Sequence, residues 1–451
     1  MKNNTYSIVI NDFGCNGEGV SRVKENAFKL IKNIQDGKVI FVKNALPKEE
    51  VEVLITKQTS NYLIGEVKSI KQKSTQRIIP KCKYFGKCDG CQIQHMNQDL
   101  QIDFKTTAVK NEFAKQHINC KINNCIPSEN QFEYRNKISL QVGLNYDIGF
   151  FDGKSRNLIK IDKCMLCESW NENVIDVFNQ YFQTLTQKQN KVFKQIIARK
   201  INDSILITLI VAIEKLENKE LLQNLLNNKF SNFGLYISVN KIKNSNVFVN
   251  ESKHVCGLKF LEFVQNNNNV EVGSQGFLQI NNNIAQKIYN QLGQNLINCD
   301  LVVNAYSGAG LLSATLAKSC KKVIGIEVCK DAHLSAQKLK LQNNISNLTN
   351  ILGKTEEELP KLFFSCKKEQ NVAVILDPPR KGCDKVVMQS LIQTMPNTIF
   401  YLSCFCSTLT RDISILINSK AYEVLFVQPY DMFPQTKHIE TLVCLMLNKN
   451  I

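Results

Sequence analysis

From about residue 270 the chain alternates short, wholly apolar runs with longer amphipathic stretches, and this rhythm constrains the fold more than any other feature. LVVNAYSG, KKVIGIEV, NVAVILDPP, NTIFYLSC and AYEVLFVQP read as buried strands, with helical stretches between most of them. Apolar runs of this kind suit strands buried on both faces, as in a sheet covered by crossover helices. A doubly wound α/β sheet is predicted, with its ligand at the carboxyl ends of the strands.

The other elements differ. The chain has 451 residues, and single cores stop growing at roughly 250–300, so two or three domains are expected. In residues 1–75, YSIVI, KVIFVKNAL, EEVEVLIT and LIGEVKSI are strand-like, separated by the turn signals NDFGCNGEG and ALPKEE. Short strands at this spacing predict a small β-barrel. Lys24, Lys29, Lys32, Lys38, Lys43 and Lys57 decorate it and make it a candidate RNA platform. Residues 76–96 are rich in cysteine, 97–118 read as helix, and about 130 to 265 as a second α+β domain. The Asn-rich run at 265–269 marks a boundary, and no internal repeat is found.

The net charge of +16 favours polyanionic partners. With 43% hydrophobic and 21% charged residues the composition is that of a globular protein. No apolar run of about 18 residues is found, so no membrane span is expected. MKNNTYSIVINDFG lacks the apolar core of a secretion signal, which leaves a cytoplasmic location as the expectation. Seventeen cysteines, an odd count, then argue for metal or thiol chemistry over a disulfide framework. Cys82, Cys88 and Cys91 form C-x5-C-x2-C. Three thiolates this close favour zinc or an iron–sulfur cluster, need a fourth ligand, and by spacing alone leave both metals open. Cys256, Cys299, Cys320 and Cys444 lie in apolar stretches and read as small core residues.

Three features of the last domain carry chemistry. The strand LVVNAY runs into SGAGLL, where Ser307, Gly308 and Gly310 allow a tight turn, and the next strand ends in Glu327, about twenty residues on. An acid there can accept hydrogen bonds from both hydroxyls of a ribose, so a nucleoside-containing cofactor is predicted. A later strand ends in Asp377-Pro378-Pro379-Arg380; two prolines stop the ladder and fix the carboxylate at the strand end. The following strand delivers Cys404 to the same end of the sheet, with Arg411 expected on the next helix as a cation that lowers the thiol pKa. His438 and Glu440 are two apart, so in extended chain they face one side, where one can be a base and the other a positioning group. Together these suggest thiolate attack on carbon 6 of uracil, which makes carbon 5 nucleophilic toward a methyl sulfonium, on a base flipped out of its stack.

At these residues the chain resembles the RNA 5-methyluridine methyltransferases of the ribosomal type, which carry a TRAM domain and an iron–sulfur cluster. NDFGCNGEGVSRV with VIFVKNALPKEEVEV resembles the TRAM barrel, and PKCKYFGKCDGCQIQHM the cluster motif. YRNKISLQV and GFF resemble the central domain, and SQGFLQIN, DPPRKG, YLSC and DMFPQTKHIET the catalytic domain. The resemblance spans nearly the whole chain. It implies an OB-like barrel over 1–75, a central α+β domain with an iron–sulfur cluster over 76–268, and a Rossmann-like class I methyltransferase domain over 269–451. It implies Cys404 as nucleophile, Glu440 as base and Asp377 as the group holding the uracil edge at the cofactor end. It implies Gln279, Tyr306, Gly308 and Glu327 as binders of S-adenosylmethionine. It implies a [4Fe–4S] cluster on Cys82, Cys88, Cys91 and Cys164, with Cys167 a nearby competitor. The expected product is 5-methyluridine in 23S ribosomal RNA, made by a monomer; transfer RNA is the alternative substrate. The chain departs from the family's pattern at Asn304 (usually an acid), Asp89 (usually Gly) and Phe405-Cys406 (usually Asn-Pro). Those departures motivate a competing reading as a catalytically weak RNA-binding assembly factor. A DNA cytosine methyltransferase would carry Pro before its cysteine, where Ser403 stands here.

Overall fold

The computed structural model describes residues 5–23, 36–153, 155, 157–185, 192–242, 251–364 and 371–448. Lys24, Lys29 and Lys32 of the expected basic surface lie outside the described residues.

The first unit contains β1 (Thr5–Val9), β2 (Asp12–Phe13), β3 (Gly19–Arg22), β4 (Val39–Lys43), β5 (Glu50–Gln58) and β6 (Tyr62–Gln72). They form one sheet in the order β1-β5-β6-β4-β3-β2. The segment read as a turn, NDFGCNGEG, itself contains the short strand β2, and β3 begins at its end. Burial alternates along β1 and β5, as period-two side chains require. Ile8, Ile40, Val42, Val51, Val53 and Leu63 fill the interior. Glu49 is fully buried at its edge and accepts from Arg77 Nε at 2.5 Å and from the Leu46 N–H at 2.9 Å. Burial alone would push this carboxyl up; the Arg77 and backbone hydrogen bonds outweigh it and hold it below its ordinary range. The pair ties the outgoing chain to the barrel.

Next comes α1 (Gln98–Lys115). Asn97 starts it by accepting the Leu100 N–H at 2.9 Å, a side-chain N-cap. The central sheet has β7 (Lys137–Val142), β8 (Ile148–Phe151), β9 (Leu158–Lys160), β10 (Phe193–Ile201), β11 (Ser204–Val211), β12 (Asn232–Val239) and β13 (Lys253–Gly257). Its order is β13-β12-β11-β10-β7-β8-β9. It shares a core with α2 (Trp170–Gln183) and α3 (Lys219–Lys229), including Trp170, Val174, Phe178 and Leu226. β14 (Leu261–Gln265) and β15 (Asn268–Val272) form a hairpin. The Asn-rich run is its turn: Asn266 and Asn267 have φ of 53° and 56°. Asparagine tolerates this left-handed conformation and so suits the two central positions of a tight hairpin turn.

The last sheet is built from β16 (Leu301–Ala305), β17 (Val323–Glu327), β18 (Leu348–Leu352), β19 (Val372–Leu376), β20 (Thr398–Ser403), β21 (Tyr422–Tyr430) and β22 (Glu440–Leu447). Its order is β18-β17-β16-β19-β20-β22-β21. β16 to β20 pair in parallel, while β22 is antiparallel to both its neighbours. The helices are α4 (Asn282–Asn295), α5 (Leu311–Leu316), α6 (Lys330–Gln342), α7 (Thr355–Phe364), α8 (Lys385–Thr394) and α9 (Cys406–Asn418). The strand order reverses between β16 and β19, which opens a crevice at the strand ends. Cys299, Cys320 and Cys444 are buried in this core. No described helix is long and apolar enough to cross a membrane.

α1 precedes the central sheet in sequence, yet Val109 and Phe113 are buried in the core of the last sheet with Val303, Leu376 and Tyr401. Its Lys105 is wholly buried and meets the equally buried Asp431 at 2.5 Å. Lys105→Ala leaves Asp431 charged and unpaired in the interior, a loss of about 3–5 kcal/mol for a broken buried pair. Urea unfolding of Lys105→Ala should show that drop, and Lys105→Met with Asp431→Leu should recover much of it; an unchanged single variant would show that the pair holds nothing.

Candidate active site

The turn after β16 carries three residues with positive φ: Tyr306 at 64°, Gly308 at 56° and Gly310 at 84°. A Cβ at Gly310 would stand 2.7 Å from the Ala336 Cβ, so only glycine lets α5 approach α6 here. A Cβ at Gly308 would meet no atom within 4 Å, so this turn faces open space. Glu327, at the end of β17, fixes the turn: its Oε2 accepts the Gly308 N–H at 2.8 Å and its Oε1 the Cys329 N–H at 2.7 Å. Gly308 and Glu327 line a cleft of about 580 Å³ with Phe277, Leu311, Asp331 and Ser335. Its size, apolar wall and fixed carboxylate can hold a nucleoside-containing cofactor.

Gln279 and Tyr306 are half-buried and are not among the residues lining that cleft. The Gln279 carbonyl accepts from Asn136 Nδ2 at 2.9 Å. The Tyr306 hydroxyl is pushed up by burial and by the neighbouring Cys383 thiol. Asn304, the departure on β16, is buried and donates to Ser313 Oγ at 2.9 Å, while its Oδ1 has no partner among the described residues.

Cys404, Glu440 and Asp377 gather at the same ends of the sheet. Because β22 is antiparallel to β20, Ser403 pairs with Thr441, which sets Cys404 beside Glu440. Asp377 follows β19, the other neighbour of β20. The Cys404 thiol is pushed up by burial and then by Glu440 and Asp377, against a hydrogen bond and charge from Arg380 that lower it. Glu440 is raised well above the carboxylate range by burial and then by Asp377. Asp377 is raised to about 7 by burial. His438, half-buried in the same loop, is lowered to about 4 by burial and by Arg380, Lys437, Lys105 and Arg135, so its ring is neutral at pH 7.

Arg411 is a correction. It lies on α9 as expected, but its Nε is spent on Asp412 at 2.8 Å and its Nη2 on the Lys381 carbonyl at 3.1 Å. The cation at the thiol is Arg380, three residues after Asp377. The sequence displays Arg380 in DPPR, yet nothing in spacing says which way a loop side chain turns. The thiol's net displacement is also upward, because burial and two carboxyls outweigh one guanidinium. Cys406 starts α9 and is half-buried, raised to about 12 by burial.

Away from the cleft, four thiols sense one another: Cys88 feels Cys164 and Cys82, and Cys91 feels Cys164 and Cys88. The Gly90 N–H points at Cys88 Sγ at 3.4 Å. The Arg135 guanidinium faces Cys91 and Cys164. Cys167 donates to Cys164, which lowers Cys164 to about 7 and raises Cys167 far above its ordinary value. Among the described residues no group of three or more His, Cys, Asp or Glu side chains is arranged to hold a metal ion. The cluster expected from the sequence is therefore not shown. Cys167 is the thiol donor to Cys164, which leaves Cys164 the more thiolate-like of the two.

Only the thiolate alkylates, so Cys404 should react with iodoacetamide slowly at pH 7 and faster as pH rises through its raised pKa. Arg380→Ala removes the one influence that lowers that pKa, and the profile should move to higher pH by roughly one unit, a tenfold slower reaction at pH 8. Peptide mass spectrometry after timed labelling reads this directly, and an unmoved profile would release Arg380 from the role.

Residues 97–449 match the tRNA (uracil-5-)-methyltransferase family, and residues 1–68 match the TRAM domain. The chain is 32% identical to an uncharacterized RNA methyltransferase of Clostridium acetobutylicum over 98% of its own length and 97% of the relative's. It is 30% identical to another from Caldanaerobacter subterraneus, with 97% of each chain covered. Among solved structures, the tRNA (uracil-54, C5)-methyltransferase of Pyrococcus abyssi, in complex with S-adenosyl-L-homocysteine, superposes with a TM-score of 0.75. That likeness covers 98% of this chain and 100% of that one at 22% identity, and it concerns the fold. The chain is thus an RNA methyltransferase of the tRNA (uracil-5-)-methyltransferase family, with a TRAM domain at its N-terminal end.

Proposed function

We propose that this chain methylates carbon 5 of a uridine in RNA, with Cys404 as covalent nucleophile and Glu440 as the base. The observation that carries the reading is the gathering of one thiol, two raised carboxyls and one guanidinium at the carboxyl ends of a doubly wound sheet. The Cys404 thiolate, stabilised by Arg380, adds to carbon 6 of the flipped uracil, and the ring's electrons move to the carbonyl oxygen. Asp377, titrating near neutrality, can hold the uracil edge as donor or acceptor. Carbon 5 then takes the methyl group. Glu440 in its carboxylate form removes the carbon 5 proton, and the electron pair expels the Cys404 thiolate, restoring the ring. S-adenosylmethionine supplies the electrophilic methyl group. Gly308 and Glu327 would hold it in the cleft, with Gln279 and Tyr306 contributing from its margin.

Cys404→Ala should lose methyl transfer from tritiated S-adenosylmethionine while keeping RNA binding; retained turnover refutes the nucleophile. Glu440→Gln can add and methylate but not eliminate, so it should accumulate an RNA–protein adduct that survives denaturing electrophoresis. No adduct removes Glu440 as base. The substrate proposed is 23S ribosomal RNA. A second reading, the T-loop of transfer RNA, is favoured by the match to the tRNA (uracil-5-)-methyltransferase family and by the likeness to a tRNA (uracil-54, C5)-methyltransferase. Mapping 5-methyluridine in both RNAs from cells lacking this gene decides between them.

We also propose, from the resemblance, that Cys82, Cys88, Cys91 and Cys164 hold a [4Fe–4S] cluster, one thiolate per iron. Arg135 is placed to balance its negative charge. Its role would be to brace this region, since methyl transfer needs no electron. Protein purified without oxygen should be brown with about four irons per chain, and Cys88→Ser should lose both. Colourless protein with stoichiometric zinc would overturn the assignment.

A further inference from the structure

Phe405 directly follows the nucleophile and is 46% exposed. Its φ of −138° and ψ of 97° are extended. The backbone beneath it is held at both ends. Ser403 Oγ accepts the Phe405 N–H at 3.1 Å, and the Phe405 carbonyl accepts from Ser403 Oγ at 3.2 Å and from Thr408 Oγ1 at 3.0 Å. The same Thr408 hydroxyl bonds the Arg380 carbonyl at 3.1 Å, which locks the Asp377–Gly382 loop against the start of α9. That loop and helix carry the exposed residues Arg380, Lys381 and Arg411. Phe405 has no aromatic or cation–π partner among the described residues.

An exposed ring on a held backbone, with cations on the neighbouring loop and helix, offers what single-stranded nucleic acid requires: charge for the phosphates and a π face for a base. We propose that Phe405 is a stacking platform for the nucleotide beside the target uridine, holding the strand open while the uracil sits on Cys404. The platform accepts any base, because every base presents a π face, so it sets strand geometry without reading sequence.

The proposal rests on the uridine reading above, and the test separates the two. Binding is measured by fluorescence anisotropy with two labelled probes, a short single-stranded oligouridylate and the same ribose–phosphate chain without bases. Phe405→Ala should weaken oligouridylate binding about tenfold, within the range of one lost base–aromatic stack, and leave the abasic chain unchanged. Phe405→Trp should restore the loss. The iodoacetamide profile of Cys404 should not move in either variant, which shows the thiol's surroundings intact. Equal affinity of Phe405→Ala and the parent chain for oligouridylate, or an equal loss for both probes, overturns the platform. Turnover by Cys404→Ala would instead sink the nucleophile and leave this result readable.

Discussion

One buried ion pair positions the segment that leads to His438 and Glu440. Lys105 and Asp431 are both wholly buried, 326 residues apart in sequence. A lone charge there would be far costlier than the pair, so α1 and the segment before β22 hold each other in place. Lys105 also donates to the Phe433 carbonyl at 3.1 Å. From this anchor the segment is fastened step by step. Tyr134 donates to the Pro434 carbonyl at 3.1 Å, Gln101 contacts Gln435, and the N–H groups of Gln92 and Ile93 both reach the Gln435 carbonyl at 3.2 Å. The next residues are His438 and Glu440. The cysteine-rich loop, α1 and the loop before β7 thus bear on the segment that leads to Glu440.

Within the site, desolvation dominates. It raises Cys404, Glu440 and Asp377 together, and each ionised neighbour would raise the others further. The resting pocket therefore favours neutral groups, and Arg380 selects the thiol as the group whose ionisation is assisted. Glu440 is buried beside the thiol at the head of β22. A base raised this far is a stronger proton acceptor once ionised than an exposed glutamate, which suits removal of a proton from carbon.

Much of this was legible beforehand because it follows from short-range pattern. The apolar runs announced the parallel strands, the glycine turn and Glu327 fell at the ends of β16 and β17, and Cys404 and Asp377 followed β20 and β19. Loop direction and long-range contact were not legible. Arg411 looked as plausible as Arg380, and only the fold spends it on Asp412. Burial of Lys105 is invisible in a helix sequence that otherwise looks solvated. The Asn-rich run looked like a boundary because hairpin turns and linkers share polar residues; its two positive φ angles distinguish them. Cys164 joins Cys82, Cys88 and Cys91 from far along the chain, a meeting that spacing could not announce.

The reversed direction of β22 has a broader consequence. In a fully parallel sheet, Cys404 and Glu440 would both sit on loops at the strand ends. Here Glu440 opens β22 next to where β20 leads into Cys404, and six successive residue pairs from Thr398–Met446 to Ser403–Thr441 fix the spacing of the two strand ends. The distance is thereby set by main-chain register, as teeth set the phase of two gears. Side chains elsewhere in the sheet can be exchanged without detuning it, whereas a slip of a single tooth would turn Glu440 to the opposite face.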